Sequence, residues 1–315
     1  MRALTSPSVS VVIPAYKARN YLRESLASVA AQDYPVLEVL IIDDASPEPI
    51  DNILQEYSQN ESAPRLRLIR HDRNQGLGGS RNTGIHAATG EYVAFLDHDD
   101  LWARNHLRNL MVISQSAAAD LAYCSVIQFR DYPENNSGMW GPHPEDLTGN
   151  FHFALFARSF ITPSSTLIRR RLLIELGGFN TSPNVHMCED LDLWMRMMNR
   201  GCSFVCADEA TCYYRKHADA ATSRPGYMAF QSAYVRQLHA NSVTAPWFAK
   251  RSLVAASWWA AWITFLKTDD LRWDVLARAM WQGLPVPWEI ARGLVRTLRH
   301  LTRKPTPSML TKPRP

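Results

Sequence analysis

Apolar positions in the first half of the chain fall into short runs separated by amphipathic stretches. Val9 to Ile13 is one run, closed by Pro14. Val36 to Asp44 (VLEVLIIDD) is a second and ends in two acids, and Tyr92 to Leu96 is a later one with no polar break. Continuous runs of strand-forming residues predict strands covered on both faces, usually parallel ones. Between them Leu22, Leu26, Val29 and Ala30, and then Ile50, Ile53, Leu54 and Tyr57, recur at helical spacing. Asn20 stands where the first of these helices would be capped. Leu66 and Leu68 mark a further strand, followed by a Gly-rich segment and a helix ending near Gly90. Such alternation predicts right-handed crossovers and an α/β, mostly parallel sheet with helices on both faces. Ligands of such sheets lie beyond the carboxyl ends of the strands, where Tyr16, Asp43, Asp44 and Asp97 to Asp100 all fall.

The Tyr92–Leu96 run stops abruptly in Asp97, His98, Asp99 and Asp100. If the chain stays extended there, Asp97 and Asp99 point to one side. Carboxylates crowded where a buried strand emerges repel one another unless a cation sits among them. A few hard oxygen ligands suit Mg²⁺ or Mn²⁺ sharing its shell with phosphate oxygens. A solvated turn with Asp100 capping the next helix is the alternative, although three acids exceed what a cap needs. No G-x-G-x-x-G follows the first strand. Gly79 and Gly84 are followed by Ile85-His86 where a phosphate loop would place Lys-Ser or Lys-Thr. Dinucleotide and P-loop sites are thereby disfavoured.

Strand character resumes from Ala119 to Phe129, and residues 131–150 read as a polar, Pro/Gly-rich loop of functional or mobile type. In MCEDLDLWMRMMNRG, residues Asp190, Leu193, Trp194 and Met197 share one helical face, with Asp190 in the first turn. Glu189 and Asp190 fit a helix start stabilised by the macrodipole, or an acid pair with chemical work to do.

Beyond about residue 240 the character changes. Ser252 to Leu266 is apolar and contains Trp258, Trp259 and Trp262, between Lys250, Arg251 and Lys267. Ile290, Leu294 and Leu298 form one stripe, and Arg292, Arg296, Arg299 and Arg303 another. Interfacial helices have this pattern, as do helices packed on the catalytic domain with charged outer faces. Residues 301–315 read as a disordered tail. Charge sharpens the division: residues 241–315 carry 12 Lys+Arg against 4 Asp+Glu, a net +8, while the rest of the chain is −4. A basic end on a slightly acidic body predicts an anionic surface as partner, with peripheral membrane contact and no nucleic acid. At 315 residues and 46% hydrophobic, the chain can bury a sizeable core. Its five cysteines match no zinc spacing and are expected as reduced, packed thiols. MRALTSPS is too polar for a signal peptide, and no apolar run approaches the roughly 18 residues of a membrane span. The expectation is a cytoplasmic protein, peripheral at the inner face of the membrane.

SVVIPAYKARNYL, QDYP, IIDDAS, NQGLGGSRNTGIHAATGEYVAFLDHDD and EDLDLWMRM, in that order, resemble the inverting family 2 glycosyltransferases of GT-A fold. The resemblance runs from about Ser8 to about His217. It implies a Rossmann-like nucleotide-diphospho-sugar transferase domain over 1–240, with a nucleotide half at about 8–130 and an acceptor half at about 131–240. A helical, basic, Trp-rich region would follow at 241–300, then the tail at 301–315. By position, the resemblance assigns the nucleotide base to Pro14, Ala15, Tyr16 and Asp44, and a nucleotide contact to Arg81. Asp97 and Asp99 match the family's D-x-D, which grips the ribose and a Mn²⁺ or Mg²⁺ ion on the diphosphate; His98 is its variable middle position and points away. Asp190 is the implied general base, with Glu189 beside it. Tyr213-Tyr214-Arg215-Lys216-His217 looks like the Y-R-x-H element, whose basic residues reach diphosphate or metal, so His217 joins Asp99 as a metal candidate. The implied partners are a nucleoside-diphosphate sugar donor and a glycan or lipid-linked acceptor. Asp269-Asp270-Leu271-Arg272-Trp273 lacks the Gln of the Q-x-x-R-W signature of processive relatives, which points to addition of one or few sugars.

Three rivals compete. A haloacid-dehalogenase-like phosphatase places its D-x-D on the first strand, not the fourth. A nucleotidyltransferase carries a basic, Gly-rich loop after the first strand, where PAYK stands here. A non-catalytic sugar-nucleotide-binding protein requires idle acids at Asp190 or the D-x-D.

Overall fold

The computed structural model describes residues 6–61, 63–217, 225–267 and 272–302. The polar N-terminal end up to Thr5, Asp269 to Leu271 of the DDLRW stretch, Arg303 of the arginine stripe and the tail beyond Thr302 lie outside the described residues. In chain order the elements are β1 (Val9–Ala15), α1 (Leu22–Ala30), β2 (Val36–Asp43), α2 (Asp51–Ser58), β3 (Arg65–Arg70), α3 (Gly76–Ala87), β4 (Tyr92–Phe95), β5 (Leu101–Trp102) and α4 (His106–Ser116). There follow β6 (Leu121–Phe129), β7 (Asn136–Trp140), α5 (Pro144–Thr148), α6 (Phe151–Arg158), β8 (Thr166–Arg169), α7 (Arg170–Glu175), α8 (Glu189–Asn199) and β9 (Phe204–Arg215). Four helices complete the chain: α9 (Pro225–His239), α10 (Trp247–Lys267), α11 (Trp273–Gly283) and α12 (Pro287–Thr302).

One sheet organises the first part, in the order β3-β2-β1-β4-β8-β6-β9-β5, with β7 added to β6. The first four strands are parallel, as the alternation predicts. The second half is mixed: β8 runs antiparallel to both β4 and β6, while β9 is parallel to β6. Alternate residues of β1 face opposite sides of the sheet. Val9, Val11 and Ile13 join Leu22, Leu26 and Leu107 in one core, while Val12 joins Phe95, Ile85, Phe179 and Trp194 in the other. With both faces covered, the strand is apolar apart from Ser10, whose buried hydroxyl donates to Glu38 at 2.9 Å.

Several local expectations are corrected. Pro14 lies inside β1 instead of closing it; pairing with β4 ends at Val12 and Phe95, and a strand losing a neighbour tolerates a residue without an N–H. Asn20 caps nothing: Ala18–Asn20 is a separate 3₁₀ turn and Tyr21 opens α1. Residues 131–150 contain β7, paired to β6, and α5, which opens on Pro144 inside a reciprocal cap made by His143 and Asp146. Its polar turn residues hid both elements.

The chain divides into two compact units, Met1–Ser223 with Ser242–Thr244, and Arg224–Asn241 with Ala245–Pro315. Helix α9 therefore groups with the C-terminal helices, so the division falls before it instead of near residue 240. Within the second unit Trp258, Trp259 and Trp262 are buried. The Trp-rich stretch is thus part of the unit's own core.

Candidate active site

The end of β2 carries Asp43 and Asp44, both buried. Asp43 pairs with Arg70 at 2.7 Å and accepts the Ser46 N–H at 3.0 Å. Asp44 accepts the backbone N–H groups of Gln75 (2.7 Å) and Gly76 (2.8 Å) and lies 2.7 Å from His71 Nδ1. It thus fixes the approach to α3, where Gly76 adopts φ +77°, a conformation that favours glycine. Neighbouring Pro14 and Ala15 end β1, and Tyr16 is 42% exposed. The candidate base-binding residues therefore share one edge, with Asp44 holding the loop as well.

Arg81 is not an exposed helix-start arginine; it lies buried inside α3. Its guanidinium donates to Asp97 at 2.7 Å and to Glu189 at 2.5 Å, and packs on the ring of Phe179, 5.3 Å from the centroid. A buried cation persists only when paired, and here it joins two acids more than ninety residues apart in sequence. Neighbouring Asn82 clamps the Gly-Gly-Phe turn by accepting the Phe179 N–H (2.7 Å) and donating to the Phe179 carbonyl (2.8 Å).

After β4 the chain does not stay extended. The Asp100 N–H donates to the Asp97 carbonyl at 3.0 Å and closes a turn, so Asp97 and Asp99 find different partners. Asp97 meets Arg81; Asp99 Oδ2 lies 2.8 Å from His217 Nε2. Asp100 does not cap a helix: it is buried, accepts the Arg215 N–H at 2.9 Å and precedes β5. His98, between Asp97 and Asp99, has its Nδ1 3.3 Å from the Pro14 carbonyl. Arg215, expected to reach phosphate or metal, is 3% exposed and turned inward. It donates to the Asp99 carbonyl (2.8 Å) and Glu24 (2.6 Å) and lies against the rings of Tyr21 and Phe129. Lengthwise, Arg215 ties β9, α1 and the acidic turn together.

Asp190 sits half-buried in the first turn of α8, where it accepts the Leu191 N–H at 2.7 Å. Burial raises its carboxyl to about 6; Arg81 opposes the rise and Asp97 adds to it. Burial likewise pushes Glu189 up to about 8 against the pull of Arg81, helped by the charge of Asp190. Asp100 is pushed well up by burial and by Asp99 and Asp97. Asp99 is held below the usual range by its bond to His217, against the opposing effect of burial. One helix and one turn thus hold acids with divergent proton affinities.

Asp99 and His217 are the donors available to a cation. Among the described residues no three His, Cys, Asp or Glu side chains form a ready metal cage. One carboxylate and one imidazole suit a hard divalent ion that takes its remaining ligands from substrate phosphates. Sequence reasoning missed the Arg81–Glu189 pair, the inward turn of Arg215 and Ser164, whose hydroxyl accepts the Asp97 N–H at 3.0 Å. Only the tight spacing of GSRNTG hinted at the first.

The sequence model of glycosyl transferase family 2 matches residues 10–177, more than half of the chain and all of the first four strands except their outermost residue. The chain belongs to glycosyl transferase family 2. This glycosyltransferase is 30% identical over 211 residues to TuaG of Bacillus subtilis, a protein assigned provisionally by its name to teichuronic acid biosynthesis; the match covers 66% of the chain and 79% of TuaG. In fold it is similar to S. aureus TarS 1-349 in complex with UDP-GlcNAc, with a TM-score of 0.63 at 20% identity, covering 92% of the chain and 89% of TarS 1-349. A mannosyltransferase from Pyrobaculum calidifontis, solved with GDP-Man and Mn²⁺, gives a TM-score of 0.62 at 20% identity over 96% of the chain and 89% of that protein. The α/β, GT-A fold with a helical C-terminal region is common ground.

Proposed function

We propose that this glycosyltransferase moves one or few sugars from a nucleoside-diphosphate sugar to a hydroxyl of a glycan or lipid-linked glycan in cell-surface polysaccharide synthesis, with inversion and with a divalent metal. The carrying observation is the buried bridge Asp97–Arg81–Glu189, which joins the D-x-D turn to the helix that opens with Asp190. It couples the donor edge of the sheet to the acid best suited as a base. The name of TuaG and the nucleotide sugars bound by the two fold neighbours support donor and product class.

Tyr16, with Pro14 and Ala15, offers an exposed aromatic face on which the base can stack, beside Asp44. Arg81 holds Asp97 toward the ribose. Mn²⁺ or Mg²⁺ would be held by Asp99 and His217, and would neutralise charge on the departing diphosphate. Asp190, unprotonated above about pH 6, takes the proton of the acceptor hydroxyl as its oxygen attacks the anomeric carbon. The bond from that carbon to the diphosphate oxygen breaks on the opposite face, so the configuration inverts. The test is release of nucleoside diphosphate from a panel of sugar nucleotides with Mn²⁺ or with chelator, with the anomer assigned by NMR. Metal-dependent release that disappears in Asp190→Asn is expected; equal release by that variant overturns the assignment.

A further inference from the structure

Helix α12 is seated on its own unit by a narrow face that is not its apolar one. Gly293 meets the indole of Trp259 so closely that a methyl group would not fit, and Gly283 approaches Ile290 in the same way. One bond to a neighbouring helix fixes the rotation further: the Trp288 indole N–H donates to Ser252 Oγ of α10 at 3.1 Å. At 3.6 residues per turn, Trp288, Ala291, Val295 and Leu298 lie roughly 140–160° around the helix from Gly293, and Leu294 about 100°. Three of these side chains face outward, with Leu298 60% exposed, Val295 45% and Leu294 44%, while Trp288, 44% exposed, reaches back to Ser252 through its indole N–H. Just upstream, Trp281 is 70% exposed and Leu284 60%. Surface helices normally turn their apolar stripe inward, so an outward one marks a contact surface.

The charges beside it narrow the choice of occupant. Arg292 borders the Val295 edge of the stripe, Arg296 lies one step further round toward Gly293, and both are exposed, in a C-terminal segment of net +8. A second copy meeting the first through this face would bring like rows of arginine together. An anionic bilayer would instead meet arginine with phosphate, take the Leu and Val side chains into its acyl boundary and keep Trp rings at the headgroup level. Among the described residues no helix is long and apolar enough to cross a membrane, so such contact would be lateral. We propose that the outward face of α12, continued by Trp281 and Leu284, seats this enzyme on an anionic lipid surface.

Full-length protein would be sedimented with phosphatidylcholine vesicles containing about one-third phosphatidylglycerol, and with phosphatidylcholine alone. Wild type should bind the anionic vesicles at least tenfold more tightly, and the double variant Leu294→Glu, Leu298→Glu should lose that binding while its melting temperature and nucleoside-diphosphate binding stay unchanged. Arg296→Gln, a milder change, should weaken anionic binding by about fivefold and leave the phosphatidylcholine baseline untouched. Should the double variant melt early, Arg296→Gln and a single Leu298→Ser carry the comparison. Equal binding by wild type and variants overturns the proposal, as does equal binding to the two vesicle types. A wild-type dimer in light scattering that the glutamates convert to monomer overturns it too, by assigning the face to a second copy.

Discussion

Helices α8 and α12 look alike on paper and are used in opposite ways. Each is amphipathic, each has acid in its first turn and each buries some of that acid with an arginine. In α8, Leu191, Leu193, Trp194, Met195 and Met197 all go inward, and the Trp194 indole N–H donates to the Ile161 carbonyl at 3.1 Å. That packing leaves only Asp190 half open at the start of the helix. In α12 the inward position is Gly293 and the leucines face out. Periodicity reveals that a helix has two faces. The neighbour decides which one is buried: a sheet with room for side chains under α8, and a flat indole that admits only glycine under α12.

The largest effect expected is at the open acid of α8. Asp190→Asn keeps size and helix-start geometry but cannot take a proton, so transfer should fall by roughly 10²–10⁴-fold with the melting temperature nearly unchanged. Near-normal transfer would make Glu189 the next residue to test. Arg81→Met should act on stability as well as rate, because it strands Glu189 and Asp97 without their cation. A loss of about 3–5 kcal/mol in denaturant melts is expected from breaking such a buried pair. A loss well below that would mean that the proton already held by Glu189 leaves little charge to strand.

The pH profile sharpens the same contrast. Asp190 works unprotonated, and its carboxyl is raised to about 6, so transfer at saturating donor should climb as pH rises through about 6. The sign for stability is the reverse. Glu189, raised to about 8 in the fold, holds a proton that the unfolded chain gives up near its ordinary value. Its contribution is therefore full below about pH 4 and is lost as pH rises through about 8. Glu189→Gln should flatten that decline in thermal melts; an unchanged slope would remove Glu189 as its source.

On α12 the two faces should respond unequally and less. Gly293→Ala forces a methyl against Trp259 and should cost about 1–3 kcal/mol by overpacking. Leu298→Ser on the outward face should change stability by no more than about 0.5 kcal/mol. Equal costs at the two positions would mean that the helix is seated the other way round.

Much of this protein was legible before any fold was seen. Three of the four parallel strands, β1, β2 and β4, declared themselves because burial on both faces keeps them mostly apolar, and Asp97 to Asp100 stood out because a strand that apolar should not end so acidic. The pairing of β8 against β4 was not legible: four residues, TLIR, cannot encode a direction that a long connection sets. The capping box at His143 and the hairpin strand β7 hid in a segment whose turn residues outnumber its apolar ones.

Local sequence by itself determined the alternating strands and helices of the first half, which acids gather at the carboxyl edge of the sheet and which end of the chain is basic. These follow from side-chain period, backbone preference and charge, all of which act over a few residues. Only the tertiary structure decided that Arg81 links Asp97 to Glu189, that Arg215 turns inward to Glu24 while His217 stays with Asp99, and that α12 shows its leucines to the outside. Each of those outcomes depends on what stands opposite. A buried guanidinium must find carboxylates wherever the fold brings them, and a helix lies closest to its neighbour through whichever residue leaves the most room.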